Sequence, residues 1–112
     1  MIAKDLIAAS SRPLVLSVLS QGESYGYALI QRVRELSKER IEWTEGMLYP
    51  VLHRLEKEGL IESEWKTSDA GRRRKYYRIS AEGGVALRQE KDNWIAVHNT
   101  LGGLWGMKPC KI

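Results

Sequence analysis

At Gly59 the spacing of apolar residues in this chain changes from one period to another. Before it, Leu48, Val51, Leu52 and Leu55 fall on a single stripe if each residue advances about 100°. After it, Ile61, Ser63 and Trp65 alternate with Glu62, Glu64 and Lys66, and Tyr77 and Ile79 alternate with Tyr76 and Arg78. A period near 3.6 that gives way to a period of 2 means a helix followed by strands. The turn residues Ser68, Asp69, Ala70 and Gly71 join the two strand-like runs into a β-hairpin. Its apolar side is expected to lie against the helices, and its tip to hold Arg72, Arg73, Arg74 and Lys75 out in solvent.

The helix before the hairpin is well punctuated. Thr44 suits its N-cap, Glu45 suits the positive end of its dipole, and Gly59 is a good C-terminal stop. Opposite the apolar stripe stand Gly46, Pro50, His53 and Lys57, flanked by Tyr49, Arg54 and Glu56. Pro50 falls within the first two turns, where a missing N–H does least damage.

Two more helices precede it. Leu14, Leu16, Val18 and Leu19 make the first apolar on most sides and therefore central to the core. Tyr25, Ala28, Leu29, Val33 and Leu36 mark the apolar side of an amphipathic second helix, with Arg32, Arg34, Glu35 and Lys38 on its other side. Gly22 is placed to end the first and Ser24 to cap the second. Pro13 is expected at the start of the first helix, because inside it the ring would remove a hydrogen bond and kink the chain. Residues 2–8 then form a separate N-terminal arm or helical turn.

From Ser80, a plausible N-cap, the chain becomes helical again, although Gly83 and Gly84 weaken the start. Leu87, Trp94 and Leu101 recur every seven residues, with Val97 and Leu104 three further on, as in a short a/d seam. Glu90 occupies an early seam position, and helicity is expected to fray between Gly102 and Gly106. The natural division is residues 1–79, holding the arm, three helices and hairpin, and residues 80–112, holding the last helix and tail. No repeat or low-complexity tract interrupts either part.

Composition excludes several classes of function. A chain of 112 residues, 43% hydrophobic, suits one small domain whose core a partner subunit would help to complete. The single cysteine, Cys110, offers no disulfide framework, zinc cluster or Cys-His nucleophile, so no metal or cofactor is expected and the cytoplasm is the expected compartment. No apolar run approaches the roughly 20 residues of a membrane span, and the N-terminal stretch is too polar for a secretory signal. His53 and His98 are far apart, and there are no paired carboxylates in a cleft pattern or Gly-rich phosphate loop, so the chain does not read as an enzyme. Eighteen Lys and Arg against fourteen Asp and Glu leave a net charge of +4. That excess becomes informative through its clustering.

Three helices followed by a hairpin with a basic tip is the order of a winged helix-turn-helix, an α+β fold that is mainly α. In it the third helix enters the DNA major groove and the wing contacts phosphates or the minor groove. Tyr49 and Pro50 then offer apolar contact, His53 and Arg54 offer donors, and Lys57 and the run from Arg72 to Lys75 offer charge to the backbone. The competing reading is a winged-helix adaptor that binds protein rather than DNA. An adaptor would use its exposed helix face for apolar contact, whereas this face and wing are cationic.

The segments "SYGYALIQRV", "GMLYPVLHRLEKEGLIESEW" and "GRRRKYYRIS" also resemble the PadR-like transcriptional regulators, with weaker matching through "AEGGVAL" to Trp94, so the likeness covers most of residues 12–104. The single C-terminal helix resembles that of the short subfamily, which includes multidrug-responsive repressors. The resemblance implies a homodimer formed by exchanging the C-terminal helix against the partner's N-terminal helix, binding an inverted-repeat operator in double-stranded DNA. It implies that Tyr49 and the run from Arg72 to Lys75 meet the DNA. It also implies that Trp94, with Val97, His98 and Leu101 around it, lies at the dimer interface where relatives stack a small aromatic effector. Two features depart from the pattern: position 98 is His rather than an acidic residue, and the Gly-rich end shortens the seam.

Overall fold

The structure is a computed structural model that describes residues 2–109. Cys110, singled out above, lies outside the described residues. The elements run α1 (Lys4–Ser20), β1 (Ser24–Tyr25), α2 (Gly26–Leu36), α3 (Glu45–Lys57), β2 (Ile61–Thr67), β3 (Arg73–Ile79) and α4 (Ala81–Leu104). Helices α1 to α3 pack around one core and the strands form an antiparallel sheet in the order β1-β3-β2.

The stripe read from the sequence of α3 is its buried face. Leu48, Leu52 and Leu55 are buried, with Val51 half-buried beside them, among Val15, Leu16 and Leu19 of α1, Leu29 and Val33 of α2, and Ile61 and Tyr77 of the hairpin. Each such Leu removed from water contributes roughly 2 kcal/mol. Thr44 caps α3 as expected, its hydroxyl accepting from the Met47 N–H at 3.2 Å. Gly59 ends the helix region at φ +78°, a left-handed conformation that favours glycine.

Three local expectations are corrected. Pro13 lies inside α1, which continues back to Lys4, so there is no separate arm. An interior proline costs about 3 kcal/mol. Here Ile7 and Ser11 on one side of it, and Val15, Leu16 and Leu19 on the other, are all buried, and the gain from that shared burial outweighs the cost. Ser24 does not cap α2. It is extended and pairs with Tyr77 while Tyr25 pairs with Tyr76, which covers the otherwise free edge of β3. Leu36, expected on the core side of α2, is exposed at the helix end.

The hairpin register pairs Ile61 with Ile79, Ser63 with Tyr77, Trp65 with Lys75 and Thr67 with Arg73. These residues share the face toward α3; Glu62, Glu64, Lys66, Arg74, Tyr76 and Arg78 share the other. The turn closes with the Ser68 N–H donating to the Arg72 carbonyl at 2.7 Å and the Gly71 N–H to the Ser68 carbonyl at 2.8 Å.

Helix α4 is pinned where it starts. The Ser80 hydroxyl accepts from the Gly83 N–H at 3.0 Å and donates to the Gly59 carbonyl at 2.7 Å, while the Ser80 N–H donates to the Leu60 carbonyl at 3.0 Å. The helix then runs along α1, and its distal half carries Val97, Leu101 and Leu104 exposed to solvent. It ends at Leu104, with Gly106 at φ +74°, within the stretch where fraying was expected.

Candidate nucleic-acid interface

The polar side of α3 faces solvent. Tyr49, Pro50, His53, Arg54 and Lys57 are all exposed, so the five residues selected on that helix stand on one accessible face. Tyr49 is 44% exposed, and its ring is laid against the start of α2. A Cβ on Gly26 would come within 2.6 Å of the Tyr49 hydroxyl oxygen, so glycine there gives this ring its place. Between α3, the start of α2 and the wing lies an open cleft of about 820 Å³, lined among others by Glu45, Tyr49, Trp65, Arg72, Arg73 and Lys75.

The four wing cations are not equivalent, which corrects their placement together in solvent at the tip. Arg72 precedes β3 and Arg73 opens it, and both are exposed. Arg74 is half-buried on the opposite face, with its guanidinium 4.4 Å from the centroid of the Tyr25 ring. Lys75 is half-buried on the cleft face, where its ammonium lies 3.6 Å from Glu56 of α3. The other Glu56 oxygen accepts from the Ser63 hydroxyl, so a single carboxylate ties α3 to both long strands of the wing. Period-2 alternation divides a consecutive cationic run between two faces, and that division can be read from the sequence once the register is known.

Two other cations on the strands are matched by carboxylates. Lys66 pairs with Glu23 at 2.6 Å, and Arg78 with Glu64 at 3.2 Å and Glu62 at 3.4 Å; these partners hold both cations above their ordinary pKa, through the Glu23 and Glu64 hydrogen bonds first. Arg54, Lys57, Arg72, Arg73 and Arg74 have no salt bridge, nor among the described residues do Lys4, Arg32, Lys38, Arg40, Arg88, Lys91 and Lys108; what sets the first five apart is that they gather on α3 and the wing. Tyr77, 4% exposed under the cleft, has its phenol pushed up to about 12 by burial first and then by Glu56 and Tyr49.

Sequence reasoning missed Trp65. It was assigned to the apolar side lying on the helices, but the sheet carries it past the core and it is 56% exposed in the cleft. The available signal was distance along the strand: Trp65 is the third residue on its face after Ile61 and Ser63, close to the turn, and burial falls from Ile61 through Ser63 to Trp65.

The second group of selected residues lies on α4, away from the cleft. Trp94 is half-buried, and Val97, His98 and Leu101 are exposed; their spacing of three, four and seven residues puts them on one face. Glu90, which sits awkwardly in the seam, accepts from the Arg12 guanidinium at 3.0 Å instead. Among the described residues there is no group of His, Cys, Asp and Glu that could hold a metal ion, and no helix is long and apolar enough to cross a membrane.

A core of three helices, an exposed third helix and a basic antiparallel wing define a winged helix-turn-helix DNA-binding regulator. Residues 15–89 match the transcriptional regulator PadR-like family, and the chain belongs to that family, as the resemblance of its motifs implied. Its members are transcriptional regulators rather than enzymes. A transcriptional regulator from Mycobacterium tuberculosis is 39% identical over 88 residues, covering 79% of this chain and 78% of that protein. Among solved structures, a transcriptional regulator from Clostridium thermocellum superposes with a TM-score of 0.83 at 32% identity, covering 92% of this chain and 97% of the other. A PadR-like transcriptional regulator from Bacillus cereus gives 0.81 at 32% identity, covering 94% and 100%.

Proposed function

We propose that this chain is a homodimeric, cytoplasmic repressor that binds an inverted-repeat operator and is released by a small aromatic effector. The observation that carries the DNA-binding part is the gathering of five cations without ion-pair partners on α3 and the wing, beside an exposed aromatic cleft, while cations elsewhere on the sheet are matched by carboxylates. Tyr49, Pro50, His53 and Arg54 are the candidates for base edges and nearby sugars, and Lys57, Arg72 and Arg73 for phosphates.

The dimer reading is supported by α4. A lone domain does not ordinarily leave Val97, Leu101 and Leu104 in water along one helix, together with Leu6 of α1. Pairing of residues 80–112 against the partner's α1 would cover them and set two reading heads about 34 Å apart, one turn of the duplex. Trp94, at the centre of that face, is the candidate platform for a planar effector. His98 beside it gives no counter-charge, which favours a neutral or phenolic ligand over a cationic one. An effector acts here by binding one dimer geometry better than the other.

Binding is tested on duplex DNA taken from upstream of the protein's own gene, titrated between about 50 and 200 mM salt. A protein that meets six or more phosphates loses orders of magnitude in affinity over that range. A flat response with both this and random duplex would instead favour the protein-binding adaptor. Trp94→Ala is expected to weaken dimerisation or effector response, and if both stay unchanged the assignment of α4 is wrong.

A further inference from the structure

Trp65 is a large apolar side chain on a strand whose other cleft-facing neighbours are accounted for. Ile61 is in the core, Ser63 is bound to Glu56, and Lys75, opposite Trp65, is held by the same carboxylate. Arg73 stands beside the indole, with the guanidinium 5.3 Å from the ring centroid, and α4 does not line this cleft. So neither the core nor the proposed dimer face explains a half-exposed tryptophan here.

The cleft's position explains it. If α3 occupies the major groove and the wing the next minor groove, the strand separating those grooves must pass between them, which is where Trp65 stands. A sugar–phosphate strand alternates an apolar deoxyribose with an anionic phosphate. The cleft offers the same alternation: an indole face flanked by the unpaired cations Arg72 and Arg73. We infer that Trp65 is a DNA-contacting residue that packs on a backbone deoxyribose while Arg73, ordered against its ring, meets the adjoining phosphate.

This inference rests on the DNA-binding reading above, and its test separates the two. Wild-type protein, Trp65→Thr, Trp65→Phe and Arg73→Gln are titrated against the same operator duplex over a series of salt concentrations. Thr keeps strand propensity at the position, and each variant's thermal midpoint confirms that it is folded. Arg73→Gln should reduce the slope of log affinity against log salt by about 0.9, as expected for one lost phosphate contact. Trp65→Thr should lose about tenfold in affinity, equivalent to roughly 1.4 kcal/mol, at every salt concentration with little change in slope. Trp65→Phe should recover most of that loss. Unchanged affinity for a folded Trp65→Thr protein overturns the inference, as does a loss that disappears at high salt, which would mean that the ring acts only through the Arg73 charge. Failure of the wild type to bind any duplex would instead overturn the DNA-binding reading itself.

Discussion

Gly83 looks in the sequence like a weak point at the start of a helix, but its missing side chain is what lets α4 begin where it does. A Cβ at this position would run into the Leu60 carbonyl oxygen and lie 2.7 Å from Cγ1 of Ile79. The obstacle is backbone, which cannot rotate away. Gly83→Ala is therefore expected to cost about 3 kcal/mol in a urea melt. The neighbouring Gly84 has open space around its Cβ position, so Gly84→Ala should stabilise the helix by up to about 1 kcal/mol. Opposite effects from two adjacent, chemically identical changes would be hard to obtain from helix propensity alone. Tyr77 offers a second test at this scale. Its folded pKa is raised to about 12 from an ordinary 10.0, so its contribution is fully present below pH 10 and is lost as pH rises through 12. In that window the unfolded chain releases a proton that the folded chain keeps, and stability falls by up to roughly 3 kcal/mol. Tyr77→Phe should flatten the alkaline limb of the stability curve between those values.

At the scale of elements, most of what was legible came from periodicity. The α3 stripe, its Thr44 cap and Gly59 stop, and the hairpin with its turn were all readable, because burial on one face repeats at a fixed interval. What escaped depended on contacts distant in sequence. The continuity of α1 through Pro13 is set by the core that Ile7 and Ser11 enter, and β1 exists because β3 offers an edge to Ser24 and Tyr25. The candidate site was legible as a set of residues but not as an arrangement, since Glu56 read only as a flank of the polar face. Glu56 in fact sets the wing against α3 through Ser63 and Lys75. With its ammonium engaged there, Lys75 should contribute less to DNA affinity than its neighbours. Lys75→Gln is expected to change the salt slope by less than half as much as Arg72→Gln, for which the change is about 0.9. In Glu56→Gln the lysine is released and the slope should steepen. Equal slopes for the Lys75 and Arg72 variants would show that the clamp gives way on binding.

Over the whole molecule, the reading surface and α4 are connected through one arginine. Arg12 of α1 makes a forked contact with Glu58 at the end of α3, at 2.9 and 3.1 Å, and donates to Glu90 of α4 at 3.0 Å. All three side chains are part-exposed, so each pair is worth no more than about 1 kcal/mol in stability. The Arg12 hydrogen bonds hold the Glu58 carboxyl below its ordinary value of 4.5. A lowered folded pKa means stability that is present above pH 4.5 and lost as pH falls through the folded value. Arg12→Met should therefore make the acid limb shallower by lowering the neutral stability, by at most about 1 kcal/mol for each part-exposed pair, while the stability in acid stays nearly unchanged. Its larger effect belongs to geometry. In the proposed dimer, the angle of α4 to α3 fixes the separation of the two recognition helices, and inserting one base pair between half-sites moves them about 3.4 Å apart and turns them by roughly 34°. A clamp that joins α1, α3 and α4 resists such an adjustment, so the wild type should discriminate sharply among operators with spacers altered by one base pair. Arg12→Met should bind the optimal spacer more weakly and the altered spacers relatively better. The measurement is a binding series over the spacer set, and an unchanged preference profile in a folded, paired Arg12→Met protein would mean that the α3–α4 angle is held by packing around Ser80 and Gly83 alone.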